Sequence, residues 1–469
     1  MSKLPKNFTK YLSPKANRRH ISPLRKLYAY TRNDPKLISL GGGFPNSDLF
    51  PFGKFSAHVV QPGTSFQMNK VALSEISIDR SKKEVSGIES LQDFLQYGGG
   101  AGAASLIKFF YQHMKDIHNP KYQDWGVISS VGSTDALNKV TELFLNDGDP
   151  ILIDEWSYPT AIETFTSSGF QMVAVKMDSE GMTPSSLDEV CTNWNGSRPL
   201  RVVYMIPTGH NPAGCTMSLT RRHEIYKVCQ KHDIIIIEDD PYYFLQFNDA
   251  PVVNPEQETE EYLKHLPGTE KLVPSILSID TDGRVLRLDT FSKILAPNMR
   301  LGWITGQKDL LQKIENHVGT TTMHPCGFAQ GIASVLLNDS WGPQGFIKHV
   351  LYLQEEYLSR RNIVMSAVNE HLGNMVSVTT PVGGMFLWLK VNLPPHNANK
   401  PGVMAEIFEE MIKNKVMLVP GWQFAPALDT SAVKDAPYFR AAFSYASKEQ
   451  LTMAIERLSA VLERFGCKK

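Results

Sequence analysis

The sequence predicts an α/β protein: a mainly parallel seven-stranded sheet with helices on both faces, joined to a smaller α+β domain. Three observations carry this expectation. From about residue 125, short β-branched or aliphatic runs alternate with turns and helical patterns, as they do when strands are buried on both faces by crossover helices. After about residue 345 the pattern changes to long helical segments around short strands. A length of 469 residues, 42% of them apolar, is enough for one large core and a second, smaller one.

Taken in chain order, residues 1–33 carry Lys3, Lys6, Lys10, Lys15, Arg18, Arg19, Arg25, Lys26 and Arg32 with no acid. This charge bias is that of an organelle transit peptide, but Pro5, Pro14 and Pro23 each interrupt the amphipathic helix such a peptide forms. The expectation is an extended arm packed on the body or on a partner subunit. Residues 1–75 are expected to form that arm and part of the smaller domain, 76–345 the large domain, and 346–469 the small C-terminal domain. Seven runs supply the predicted strands: Val127–Val131, Ile151–Ile153, Met172–Val175, Arg201–Ile206, Ile234–Ile237, Val285–Leu288 and Leu301–Ile304. The polar stretch 254–269 reads as a surface insertion. Helices are expected over Phe346–Leu372, Met404–Asn414 and Lys448–Phe465, around strands at Met385–Val391 and Arg440–Ser444.

Composition excludes several function classes. Lys plus Arg and Asp plus Glu both number 48, so the net charge is zero and the basic field of a nucleic-acid binder is missing. The longest purely aliphatic stretch, Ile234–Ile237, is far short of the ~20 residues a spanning helix needs, so a soluble protein is expected. The five cysteines form no C-x-x-C pair, which suits a reducing compartment. The cytoplasm is the expected location, with a mitochondrial one the alternative because of the basic arm. Scattered histidines imply no metal.

The most informative string is Asp289-Thr290-Phe291-Ser292-Lys293, with Arg300 seven residues later, just after a predicted strand. A free lysine amine titrates near 10.4, so it serves as a nucleophile or base at neutral pH only when its surroundings lower that value. Schiff-base formation answers that need. Other strand ends supply what a pyridoxal phosphate site requires. Asp239 ends an aliphatic strand, where a carboxylate must be paired, and a protonated ring nitrogen is a suitable partner. Tyr242 and Asn211 are placed to reach the ring's phenolic oxygen. Gly132-Ser133-Thr134 opens a helix after a strand and offers N–H groups to a phosphate, a cradle that Ser292 and Arg300 complete. Tyr158 follows the next strand and is a stacking candidate. Each segment alone also has an ordinary structural reading, as a cap, a turn or a strand end; their order and shared position at strand ends give them force.

On these strings the sequence resembles the fold-type I pyridoxal phosphate enzymes, and more narrowly the kynurenine/2-aminoadipate aminotransferases and the fungal aromatic amino acid aminotransferases. The further segments that carry the resemblance are Ser39–Asn46, Leu95-Gln96-Tyr97-Gly98, Gly383-Gly384-Met385-Phe386-Leu387-Trp388 and Phe439-Arg440-Ala441-Ala442-Phe443-Ser444. The resemblance implies that Lys293 carries the cofactor as an imine, that Asp239 pairs with the ring nitrogen, and that Asn211 and Tyr242 face the phenolic oxygen. It further implies Tyr158 as the stacking residue, Ser133, Thr134, Ser292 and Arg300 around the phosphate, and Thr290 among the cofactor-binding residues. Tyr97 would enter from the other subunit of a homodimer, serving cofactor and substrate alike. Arg440 would grip the substrate α-carboxylate, a task for a planar fork that lysine cannot reproduce. Asn211 and Gly43 would border the substrate, and Arg25 would meet a distal carboxylate. Thr290 stands where many relatives have serine, and Thr134-Asp135 replaces a commoner glutamine.

The implied reaction is a ping-pong transfer of the α-amino group of an aromatic amino acid, 2-aminoadipate or both, with kynurenine a further candidate, to a 2-oxo acid such as 2-oxoglutarate. Decarboxylation or β-elimination with the same cofactor, and a non-catalytic ligand-sensing module, are the alternatives. The short arm and zero net charge weigh against the sensor. The Gly98–Gly102 run lacks the G-x-G-x-x-G spacing and is expected to be a close-approach or flexible loop.

Overall fold

The computed structural model describes residues 3–23, 34, 36–38, 40, 41, 43–65, 71–80, 87–254, 257–398, 400–426, 433 and 435–469. Its strands are β1 (Lys54–Val60), β2 (Leu73–Asp79), β3 (Trp125–Ser130), β4 (Pro150–Asp154), β5 (Gln171–Val175), β6 (Met177–Asp178), β7 (Gly181–Met182), β8 (Val202–Met205), β9 (Ile235–Asp239), β10 (Val285–Thr290), β11 (Gly302–Gln307), β12 (Val376–Ser377), β13 (Phe386–Val391), β14 (Val419–Pro420) and β15 (Tyr438–Ala442). The seven-stranded sheet runs in the order β3-β11-β10-β9-β8-β4-β5, and a smaller antiparallel sheet runs β12-β13-β15-β14.

All seven expected strands are present, and most are buried along their whole length, which is why they read as continuous apolar runs rather than alternating ones. The pairs β9–β10, β4–β5 and β4–β8 are parallel. β11 is antiparallel to both its neighbours, β10 and β3. The cause is local: the link 291–301 contains only two short 3-10 turns, whereas a parallel return needs a crossover of a dozen residues or more. The turn that reverses the chain holds Lys293.

Two units make up the chain. The first comprises Met1–Asp147, Ile235–Pro241 and Pro274–His349; the second comprises Gly148–Ile234, Tyr242–Val273 and Val350–Lys469. Within the first, the β1–β2 hairpin packs Ile76 and Ile78 against Leu91, Phe94, Val335 and Leu336. Within the second, a core including Leu387, Leu389, Phe439, Met404, Ile407, Leu458 and Leu462 joins the small sheet to the helices Val403–Lys413 and Lys448–Arg464.

The N-terminal arm belongs to the first unit's fold, but it is not simply extended. Pro14 occupies the first turn of a helix, Pro14–Arg18, capped by Ser13; at that position its missing N–H costs nothing. Ser13 also bonds Glu142 and Leu143, and Phe8 and Ala16 are buried. Half of the described residues of the 254–269 insertion are exposed, yet it is anchored: Tyr262 is buried, donates to Pro251 O at 2.7 Å and accepts from Asn362 Nδ2 at 3.0 Å. Among the described residues, no helix is long and apolar enough to cross a membrane.

Candidate active site

In the first unit, the end of β10 runs straight into a 3-10 turn, Phe291–Lys293. Phe291 pins the turn: it is fully buried, its ring 5.1 Å from that of Trp303 and 5.8 Å from that of Phe110. Thr290 caps it, accepting from Ser292 N at 3.1 Å, and the two hydroxyls lie 2.9 Å apart. Lys293 is partly exposed at the end of this rigid turn, placed by the backbone rather than by a flexible loop. Asp239 ends β9, buried, and pairs in register with Leu288 of β10.

Arg300 folds back toward the same turn. Its backbone is left-handed at φ 48°. Its guanidinium donates to Pro297 O at 2.9 Å and Val131 O at 3.2 Å and comes within 3.5 Å of Ser292 Oγ. It also lies against Gly132: a Cβ there would sit 2.9 Å from Arg300 Cζ. Gly132, at φ 81°, precedes the helix Ser133–Phe144 without a side-chain cap. Asp135, the acid of that first turn, is taken up by Val131 N and Lys139. A helix start without a side-chain cap, two hydroxyls and a guanidinium thus meet in one corner, and this donor set fits a phosphate ester. Ser133 is half-buried there and Thr134 exposed.

In the second unit, the loop after β8 is pressed onto the segment leading into β13. Gly209 (φ 53°) and Gly384 (φ 77°) pack backbone to backbone, so closely that a Cβ on Gly209 would lie 2.7 Å from Gly384 N. Only glycine permits this approach. It sets Asn211, buried and followed by a cis bond to Pro212. Arg440, paired with Trp388 and Val419 on β15, donates from Nη1 to Asn211 Oδ1 at 2.9 Å. That bond leaves the Asn211 Nδ2 donor for another acceptor.

The Arg440 guanidinium lies between two aromatic faces, 4.6 Å from the Phe386 centroid and 4.9 Å from that of Phe424, a favourable setting for a cation. Burial lowers its pKa, while Tyr242 and Tyr158 act in the opposite sense. Its Nε is buried with no hydrogen-bond partner among the described residues. A buried, unsatisfied charged donor is costly, and a ligand carboxylate is a chemically matched partner. Tyr242 meets Phe386 edge to face at 5.6 Å. Tyr158 precedes the helix Pro159–Ser167, and the N–H of neighbouring Ser157 donates to Phe424 O at 2.7 Å.

The structure therefore gathers Ser133, Thr290, Ser292 and Arg300 in one corner, and Asn211, Arg440, Phe386 and Tyr242 in another. Tyr97 stands at the surface of the first unit, 56% exposed, its ring 6.5 Å from that of Phe44. Gly43 is open, with nothing near its Cβ position. Arg25 lies outside the described residues. Phe424 escaped the sequence reading; the only local signal is the turn residue Gly421 ahead of it, because its approach to Arg440 is made across β14 and β15 rather than along the chain. Gly102 makes the expected close approach, since a Cβ would lie 2.9 Å from Ser129 Cβ.

The family described as aminotransferase class I and II matches residues 64–458. An aromatic amino acid aminotransferase of Schizosaccharomyces pombe is 35% identical, covering 100% of each chain. The mitochondrial kynurenine/alpha-aminoadipate aminotransferase of Bos taurus is 33% identical, covering 97% of this chain and 99% of its own. Among solved structures, aminotransferase Aro8 from Candida albicans superposes with a TM-score of 0.88 at 31% identity, covering 99% of both chains.

Proposed function

This chain belongs to the class I and II aminotransferase family, whose members use pyridoxal phosphate, and on that premise we propose that it transfers the α-amino group of an aromatic amino acid or of 2-aminoadipate, kynurenine included, to a 2-oxo acid such as 2-oxoglutarate. The observation that carries the reading is Arg440: a guanidinium between two phenyl rings, braced by Asn211, with one buried N–H group still without a partner. A bidentate fork suits the α-carboxylate that every amino donor and every 2-oxo acid share. The aromatic surroundings suit a ring-bearing side chain. The named activities of the relatives in Schizosaccharomyces pombe and Bos taurus agree with this substrate range.

The cofactor, when bound, draws electrons from the substrate Cα so that a proton can leave it. Lys293 would hold the cofactor's aldehyde carbon and, once released, carry the proton between Cα and the cofactor; the buried Phe291 fixes the backbone turn from which its side chain starts. Such a positioned proton carrier contributes roughly 10²–10⁴-fold. Asp239 would keep the ring nitrogen protonated. Asn211 Nδ2 and the Tyr242 hydroxyl would hold the phenolic oxygen, and Tyr158 would cover the ring face. Ser133, Thr134, Thr290, Ser292 and Arg300 would anchor the phosphate. Because Arg440 binds what the two substrates have in common, one site serves both acids in turn.

The chain acts as a homodimer in this reading. The support is the exposure of the apolar side chains Ile38, Leu40, Phe44 and Tyr97 on the first unit, of which Phe44 and Tyr97 lie with their rings 6.5 Å apart; clustered exposed apolar side chains mark protein–protein contact surfaces. Tyr97 would then serve the partner's site, Gly43 would border the substrate and Arg25 would meet a distal carboxylate. The cytoplasm is the proposed compartment. Borohydride reduction of the purified holoprotein, followed by peptide mapping, should attach the cofactor covalently at Lys293; a panel of aromatic and dicarboxylic donors should then show turnover with 2-oxoglutarate. No covalent attachment at residue 293 would refute the site, and turnover confined to donors outside both classes would refute the substrate reading.

A further inference from the structure

Behind the two strand ends that carry Asp239 and Lys293 lies a fully buried cluster of four charged side chains. Arg287 of β10 is at its centre. Its Nη1 lies 3.0 Å from Glu238 Oε1 and 3.1 Å from Asp240 Oδ2, and its Nη2 lies 2.9 Å from Asp289 Oδ1. Strand geometry explains the grouping. Successive side chains of β9 alternate between faces, so Glu238 and Asp240 share the face of Arg287, while Asp239 between them points to the opposite one. The parallel register places Arg287 against Glu238 and Leu288 against Asp239.

One guanidinium thus ties both neighbours of Asp239 to the residue that precedes Thr290, the cap of the Lys293 turn. Glu238 is further held by Ile276 N at 2.8 Å and Leu277 N at 3.0 Å. The cluster is a poor device for stability alone. Among the described ion pairs of the cluster one cation meets three carboxylates in a buried interior, and a buried ion pair is often no better than packed apolar groups. Burial accordingly pushes the Asp289 carboxyl up to about 7, against the pull of Arg287. His113, on the helix Ala104–Ile117, also feels Arg287; burial, then the guanidinium, lowers it to about 4, so it stays neutral.

We propose that Arg287 is a positioning residue for transamination: through Glu238, Asp240 and Asp289 it sets the aim of Asp239 and the seat of the Lys293 turn relative to each other. The proposal rests on the function proposed above. Groups that orient metal-ligating side chains account for roughly 10- to 100-fold in affinity or activity, and an effect of that order is expected for Arg287.

The test uses holoprotein of wild type, Arg287→Met, Arg287→Lys and Asp289→Asn, each checked for fold by circular dichroism. Four quantities are read: the affinity of the apo form for pyridoxal phosphate, the pH midpoint of the bound cofactor's visible absorbance, kcat, and KM for donor and acceptor. Arg287→Met is expected to lower cofactor affinity and kcat by roughly 10- to 100-fold and to displace the midpoint, with both KM values nearly unchanged. Arg287→Lys should restore part of the loss. If Arg287→Met does not fold, Asp289→Asn and Arg287→Lys decide the matter, and a displaced midpoint with reduced kcat in either supports the proposal. Folded variants whose midpoint, cofactor affinity and kcat all match wild type overturn it while leaving the function reading intact. A wild-type protein that neither binds pyridoxal phosphate nor is fixed at Lys293 by borohydride overturns both.

Discussion

Replacing Gly132 by alanine is a sharp test of the phosphate corner, because the new methyl meets a single group. Its carbon would lie 2.9 Å from Arg300 Cζ and closer still to Nη2, so the guanidinium must move. It would then lose its hold on Val131 O and Ser292 and the position from which, in the proposed reading, it would reach a phosphate. A hydrogen bond to a charged group is worth about 1.5–3 kcal/mol, which corresponds to roughly 10- to 150-fold in affinity for pyridoxal phosphate. A separate cost falls on folding. Gly132 sits at φ 81° and ψ 172°, a region almost reserved for glycine, where a side chain costs on the order of 1–3 kcal/mol. The two effects separate in a double-mutant cycle. Reconstitution of apoprotein followed by absorbance gives the affinity, and thermal melts of the apo forms give the folding term. In an Arg300→Ala background the methyl has nothing to displace, so Gly132→Ala should leave affinity almost unchanged while still lowering the melting temperature. A folded Gly132→Ala protein that holds the cofactor as tightly as wild type, or an affinity loss equally large without Arg300, would refute the reasoning.

Two further outcomes are expected. Arg440→Lys keeps the charge but loses the fork, so kcat/KM for amino donors should fall roughly 10- to 100-fold while cofactor affinity holds; steady-state kinetics beside a cofactor titration checks both, and an unchanged kcat/KM contradicts the assigned role. Glu142→Gln tests the clasp on the N-terminal arm. Burial pushes the Glu142 carboxyl up, but hydrogen bonds from Lys15 and Arg19 outweigh this and hold it below its usual value of 4.5. A lowered carboxylate stabilises the fold above that ordinary value and loses its contribution as pH falls through the folded one. Wild type should therefore exceed the variant in stability by up to about 1 kcal/mol at pH 7, and the gap should shrink in denaturant melts as the pH is taken below the ordinary carboxylate value; a gap that widens in acid contradicts the clasp.

The strands of the large sheet were legible because burial on both faces writes itself as uninterrupted Val, Ile and Leu. The candidate residues of the proposed site drew attention for a related reason: a lysine, an aspartate, an asparagine and an arginine near strand ends stand out against an apolar background. Local sequence also determined the caps at Ser13, Thr290 and Ser447. Here Pro14 shows the limit of local rules, since the same residue that breaks a helix interior opens one when Ser13 precedes it.

What tertiary structure decided is what depends on distant segments. The direction of β11 follows from a link too short to cross over, but its place between β3 and β10 is a matter of packing. Phe424 reaches Arg440, and Gly209 reaches Gly384, across more than a hundred residues or between separate strands, and nothing in their immediate neighbours announces it. The four-charge cluster around Arg287 is the clearest case. Each of its members reads along the chain as an ordinary strand residue or strand end, and only the register of β9 against β10 brings three carboxylates to one guanidinium, because alternation along a strand decides which face a side chain takes while pairing decides whom it meets.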